Sequence, residues 1–195
     1  MSVATAAADH RASIAAVAAQ SRPSLGHAWT ALASVADPEI PVVSVIELGI
    51  VRGIHWDADD PAMLVVNVTP TYSGCPATEV IAASIHTALT AAGVARVRIV
   101  TSLSPPWTTD WITPEGRRKL REFGIAPPDG TRAVRKSVAI DVAGISPLRR
   151  SAVAISCPRC ASKRTALLSQ FGSTACKAQY RCLDCLEPFD YFKPH

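Results

Sequence analysis

The spacing of apolar positions changes several times along this chain, and each change predicts an element. Between residues 26 and 36, Trp29, Leu32, Ala33 and Val35 recur near helical spacing. Asp37-Pro38 closes that helix, because proline disfavours a helical conformation in the residue before it. After Pro41 the pattern shortens. Val42 to Ile46 and Gly49 to Trp56 read as a β-rich stretch, Asp57 to Pro61 as a turn, and Met63 to Val68 as a second strong strand. Over 76–92 Val80, Ile81, Ile85 and Leu89 line one face of a helix, with Pro76 suited to its first position and Gly93 as its stop. Arg96 to Thr101 alternates polar and apolar residues, the mark of a half-buried strand. Thr113 as cap, Pro114 at the first position and Gly124 as terminator predict a helix over 114–123. One more strand, Val138 to Val142, stands among loop residues between Pro127 and Ser151. This order predicts a small α/β domain of the two-layer α+β kind, followed by a C-terminal module of different character.

Length and composition fit that division. The 195 residues suffice for one ordinary domain and a small appendage, and a chain 48% hydrophobic and 18% charged packs most of itself into a core. The boundaries expected are a flexible extension over 1–25, an α/β domain over 26–127, a linker with one strand over 128–151, and the appendage over 152–195. The net charge of +4 permits anionic partners without demanding them. No run approaches the roughly 18 apolar residues that cross a bilayer, so no membrane partner is expected. The Ala-rich start resembles a secretion signal only superficially: its apolar stretch, Ile14 to Ala19, is short, and no Lys or Arg precedes Arg11.

The appendage carries the most specific chemistry. Cys157-Pro158-Arg159-Cys160 is followed, after 21 residues, by Cys182-Leu183-Asp184-Cys185. Two such pairs offer four soft thiolates to one tetrahedral ion, which predicts a structural zinc ribbon with Cys157, Cys160, Cys182 and Cys185 as ligands. Rubredoxin-like iron fits the same ligand set, and disulfides are the third alternative. A segment this short buries too little apolar surface to fold alone, so metal binding would supply its folding energy. Five of the six cysteines lie in or between these pairs and Cys75 stands alone upstream, a pattern that suits a reducing cytoplasm better than a disulfide scaffold. Cys176 is a spare thiol, either near the metal or an ordinary free cysteine. The histidines show no metal-ligand spacing.

A second candidate site lies in Thr69-Pro70-Thr71-Tyr72-Ser73-Gly74-Cys75-Pro76, which runs from a strand end into a helix start. At the N-cap, unpaired backbone N–H groups and the helix dipole would favour the thiolate of Cys75. The alternative is a cysteine used as a small buried residue. Asp37 and Glu39 read locally as a solvated turn. Trp107 and Trp111 suggest either an aromatic ledge or core packing. The chain has no Gly-rich phosphate loop, no defensible Ser-His-Asp order and no His-x-x-x-His pair, which argues against a self-sufficient enzyme of a common type.

The string from Asp37-Pro38-Glu39-Ile40-Pro41 to Glu47-Leu48-Gly49-Ile50-Val51 resembles the signature of the SufT-like iron–sulfur assembly domain. So do Thr69 with Gly74-Cys75-Pro76, and Pro105-Pro106-Trp107 with Gly124-Ile125. Together these cover about residues 26–127. The ribbon, with Gln170-Phe171-Gly172, Tyr180-Arg181-Cys182 and Glu187-Pro188-Phe189-Asp190-Tyr191-Phe192, narrows the resemblance to the PaaD family of phenylacetyl-CoA epoxidase components. Ala161 departs from that pattern, which usually has glycine after the first cysteine pair.

The resemblance implies an accessory cytoplasmic role in aerobic phenylacetate catabolism: assembly or maturation of the iron or iron–sulfur centres of other subunits. Those subunits perform the di-iron oxygenation and are the implied partners; a homodimer is left open. The resemblance also implies that Cys75 is the functional thiol, transiently holding iron or a cluster, with Asp37, Glu39 and Thr69 as neighbours. Three rival readings remain. The ribbon has six Lys or Arg against three acidic residues from Cys157 onward, plus aromatics, but not the dense basic stripe of a nucleic-acid binder. A thiol enzyme built on Cys75 needs a base within reach, and no histidine is evidently paired with it. A purely structural bridge, docked through the ribbon, is compatible with maturation.

Overall fold

A computed structural model of the protein describes residues 22–72, 74–128 and 155–194. Residues 1–21 of the predicted extension and the strand predicted at Val138 to Val142 lie outside the described residues, while Ser24 and Leu25, also assigned to the extension, begin the first helix. The chain divides into two compact units, one up to Lys119 and the other from Leu120 to Pro194.

The first unit opens with helix α1, Leu25–Ala33, capped by Ser24, whose hydroxyl accepts the His27 N–H at 3.1 Å. Its buried residues, Ala28 and Leu32, are a turn apart and face the core. The helix stops earlier than its apolar spacing suggests, because Val35 instead receives the Val45 N–H at 2.9 Å and turns the chain back. The predicted strand over Val42 to Ile46 is a set of turns. Ser44 and Glu47 hold it: the Ser44 N–H donates to Glu47 Oε2 at 2.8 Å, and the Glu47 N–H returns to Ser44 Oγ at 3.2 Å. That reciprocal pair has the logic of a capping box and overrides the β-propensity of Val42, Val43 and Val45. Val43, Val45, Leu48 and Ile50 are nevertheless buried. The apolar pattern marked burial, not extension.

Strands β1, Val51–Trp56, and β2, Met63–Val68, form an antiparallel hairpin. Asp57 shapes its turn by accepting the Asp59 and Asp60 N–H groups. Helix α2, Ala77–Ala91, then crosses over to β3, Arg96–Thr101, which lies parallel to β2. The sheet order is β1-β2-β3, and α2 buries Ala77, Ile81, Ile85 and Leu89, one helical stripe. A single 3₁₀ turn, Thr109–Trp111, precedes helix α3, Pro114–Phe123. Thr113 caps α3 as predicted, accepting the Gly116 N–H at 3.0 Å. Gly116 is there because a Cβ would meet the Glu47 carbonyl at 2.9 Å. The fold class is thus a small α/β domain followed by a ribbon.

The second unit holds an independent sheet of order β4-β7-β6-β5. Its strands are β4, Ile125–Ala126; β5, Thr165–Ser169; β6, Lys177–Cys182; and β7, Pro188–Phe192. The last three form an antiparallel meander, and β4 joins β7 in parallel. Residues 125–126, expected in the α/β domain, therefore belong to the ribbon sheet. Ala126, Ile155, Cys157, Ala178, Cys182, Phe189 and Tyr191 make up its core. Tyr180 packs on that core, stacked on Phe189 at 6.0 Å and edge-on to Tyr191 at 5.6 Å. Tyr180, Phe189, Tyr191 and Phe192 serve packing.

Candidate metal centre and candidate thiol site

The two cysteine pairs converge. The Sγ atoms of Cys157, Cys160, Cys182 and Cys185 all lie within 4.8 Å of one another, with Cys157 and Cys185 at 3.7 Å and Cys160 and Cys182 at 3.5 Å. Four sulfurs bound tetrahedrally at about 2.3 Å from one ion stand about 3.8 Å apart, so the array fits a single zinc ion. A disulfide requires about 2.05 Å, and all four thiols are free. Cys157 and Cys182 are buried in the ribbon core, while Cys160 and Cys185 are exposed.

Backbone geometry prepares this array. Each pair forms the same knuckle: the Cys157 N–H donates to Ser162 O at 2.8 Å, and the Cys182 N–H donates to Glu187 O at 2.9 Å. In each knuckle the residue after the second cysteine is left-handed, Ala161 with φ 61° and Leu186 with φ 64°. This conformation is needed to fold the chain back over the ion, and it explains why glycine is the usual choice. Backbone N–H groups face the sulfurs. Those of Cys185 and Asp184 act on Cys182, the first most strongly, and hold its thiol down at about 6 against burial. The Glu187 N–H likewise favours the Cys185 thiolate, but partial desolvation and the neighbouring Cys182, Cys160 and Cys157 push that thiol up to about 12. Four thiols this close cannot all ionise unaided; a divalent cation removes the conflict. Asp184 ties the knuckles together by accepting from the Ser162 hydroxyl and pairing with Arg164 at 3.0 Å. Sequence spacing located the ligands, but not these N–H donors.

Cys176 stands apart from this array. It is buried, with the Thr174 hydroxyl 3.0 Å from its sulfur, and behaves as a packed core thiol.

Cys75 is a free, partly exposed thiol just before α2. The N-cap of that helix is Pro76, not Cys75, and it makes no side-chain capping bond. Cys75 contributes its carbonyl instead, accepting the Thr78 N–H at 3.2 Å and the Thr78 hydroxyl at 2.9 Å. The helix therefore begins at Ala77, one residue later than predicted. Gly74 has φ 88° and open space around its Cβ position, so it is required for backbone hand, not for close approach.

Asp37 is buried rather than solvated. Its Oδ1 accepts the Glu39 and Ile40 N–H groups, each at 2.9 Å, which closes the turn carrying Glu39. Thr69 follows β2, its N–H bonded to Ile50 O at 2.8 Å. It lines a pocket of about 420 Å³ with Pro70, Thr71, Tyr72, Leu103, Pro106 and Trp107; of the four residues assigned to the thiol site, only Thr69 does so. Trp107 forms no exposed ledge. It is buried, and its indole N–H donates to Leu48 O at 2.9 Å. Trp111 is covered by the Arg52 guanidinium, 3.4 Å above its ring. Neither partnership was legible from spacing. Among the described residues, no helix is long and apolar enough to cross a membrane.

Comparison with known proteins agrees with this division. Residues 27–100 match the iron–sulfur cluster assembly protein family, and residues 144–193 match the PaaD zinc β-ribbon domain. A conserved hypothetical protein of Thermotoga maritima is 29% identical, covering 51% of this chain and 96% of its own, with a TM-score of 0.43. A Mycobacterium tuberculosis protein associated with [Fe-S] complex assembly and repair is 35% identical over 51% of this chain and 85% of its own, with a TM-score of 0.32. An Escherichia coli K12 protein, named as the D component of 1,2-phenylacetyl-CoA epoxidase, is 46% identical over 171 residues, which are 88% of this chain and 93% of that one. With both halves matched and the two knuckles fitting structural zinc, the chain belongs to the PaaD family of phenylacetyl-CoA epoxidase components.

Proposed function

We propose that this protein is an accessory subunit that assists assembly or maturation of the iron or iron–sulfur centres of a phenylacetyl-CoA epoxidase. The other subunits of that epoxidase are its partners, and Cys75 is its working thiol. The observation that carries this reading is Cys75 itself: a free, partly exposed cysteine at the start of α2, within the segment matched by the iron–sulfur cluster assembly family. A thiol there can accept and release a soft metal cargo, whereas the four ribbon thiols are committed to one closed tetrahedral array. Asp37, Glu39 and Thr69 take supporting roles: Asp37 fixes the turn that carries Glu39, and Thr69 anchors the strand end that leads to Cys75.

Protein purified without oxygen tests this by its metal content. The expected result is zinc at one per chain in both wild type and Cys75→Ser, with iron and sulfide in the wild type only. Iron and sulfide retained equally by Cys75→Ser would overturn carriage by this thiol.

A second reading is favoured by one feature of the ribbon. Phe171, Leu186 and Leu168 are 72%, 57% and 54% exposed, more apolar surface than so small a sheet needs to show water. In that reading the ribbon docks onto oxygenase subunits and the protein acts as a bridge. Epoxidase activity that survives Cys75→Ser but falls with Phe171→Ser would favour the bridge over carriage.

A further inference from the structure

The pocket beside Thr69 has features that neither cluster assembly nor the zinc centre uses. Its walls come from the two loops that leave the parallel strands β2 and β3 at their C-terminal ends, the end where adjacent parallel strands part and open a crevice. The pocket's 420 Å³ lies at the low end of the roughly 300–1,000 Å³ typical of ligand sites, which suits one ring-sized group rather than an extended chain. No lining residue carries a charge, so an ionised group placed inside would go unpaired. Pro70, Pro106, Tyr72, Leu103 and Trp107 offer flat apolar faces, and the Trp107 ring is fixed by its bond to Leu48 O.

Two polar groups are left over. Thr69 is 2% exposed and Thr71 9% exposed, yet neither hydroxyl is hydrogen-bonded among the described residues. No fully enclosed side-chain polar atom there lacks a partner, so each hydroxyl keeps some accessible surface, and both residues line the pocket. A nearly buried hydroxyl facing a cavity is a hydrogen-bonding position waiting for a guest.

From this we infer that the pocket binds an uncharged aromatic ring bearing one hydroxyl or N–H, with the ring between Trp107, Leu103 and the prolines and its polar edge at Thr69 and Thr71. The ring has two sources with the same chemistry, a free small molecule or an aromatic side chain of a partner protein. The inference does not depend on the role of Cys75.

The test is a titration of the full-length zinc-loaded protein with phenol, toluene and benzoate, followed through the Trp107 indole N–H by ¹H–¹⁵N NMR. Phenol should bind saturably, about fivefold more tightly than toluene, the worth of one neutral hydrogen bond, and about tenfold more tightly than benzoate. Thr69→Val should erase the preference for phenol over toluene while leaving toluene affinity unchanged. Leu103 is 59% exposed at the rim, so Leu103→Asp keeps the fold and should weaken phenol and toluene alike. Equal affinities for phenol and benzoate, a preference that survives Thr69→Val, or no saturable shift of the indole N–H would each overturn the inference. A capped Gly-Tyr-Gly peptide separates the sources: binding as tight as phenol points to a partner side chain, and phenol binding without peptide binding points to a small molecule.

Discussion

The two units solve the same problem by different means. The first buries a continuous apolar set, including Leu32, Leu48, Leu64, Ile85 and Leu89, each 0–1% exposed, around a three-stranded sheet and its crossover helix. Among the described residues, the ribbon's main buried cluster includes two of the metal-site cysteines, Cys157 and Cys182. In the first unit the core exists before any ligand arrives. In the ribbon the ion's own ligands are core residues, so metal binding and folding are one event. The lesson is that a small sheet can replace missing apolar area with coordination.

The sharpest way to break this contrast is to remove the metal. Chelation or Cys182→Ser should abolish hydrogen-exchange protection in β6 while leaving β2 protected, since structural zinc is worth about 10–16 kcal/mol to such modules. Retained protection in β6 would mean the ribbon is held by its aromatics alone. The converse experiment is Leu89→Ala. This fully buried side chain should cost about 2–5 kcal/mol in chemical denaturation of the first unit, with zinc content unchanged. Coupled zinc loss would merge the two units energetically.

A smaller effect is expected at the left-handed residue of the first knuckle. Ala161→Gly should stabilise the ribbon by about 1 kcal/mol, seen as zinc retained at higher competing chelator, because Ala161 has φ 61°. The smallest effect concerns Glu47 in the first unit. Burial raises its pKa, but the Lys119 ammonium at 2.6 Å and the Ser44 N–H outweigh that and hold it below its ordinary 4.5. A carboxylate with a depressed folded pKa stabilises above the unfolded value and loses that contribution as pH falls through the folded one. Lys119→Met should therefore reduce stability by at most about 1 kcal/mol at neutral pH, and the difference should shrink below pH 4.5.

How much of this the sequence disclosed depends on the range of the interaction. Strands β2 and β3 and helices α2 and α3 follow from local periodicity and caps, and the structure has them within a residue or so of their predicted bounds. The zinc ligands were legible because metal spacing is a local constraint. What the pattern missed was a local bond that competes with β-propensity, and pairing that is non-local. The Val42 to Ile46 segment is pulled out of extended form by a side-chain bond from Glu47. Strand β4 is too short to show a period and exists only because β7 pairs with it. At the thiol site, Cys75 was found by its motif, whereas the free hydroxyls of Thr69 and Thr71 emerge only once two loops are brought together.

The pairing of β4 with β7 also sets a timetable. Ile125 finds its partner at Asp190, sixty-five residues later. During synthesis the first unit is complete and free to fold long before that partner exists. The ribbon sheet must wait for β7 to leave the ribosome, so a chain cut short between Ala126 and Pro188 would carry a finished α/β domain and an unpaired strand edge.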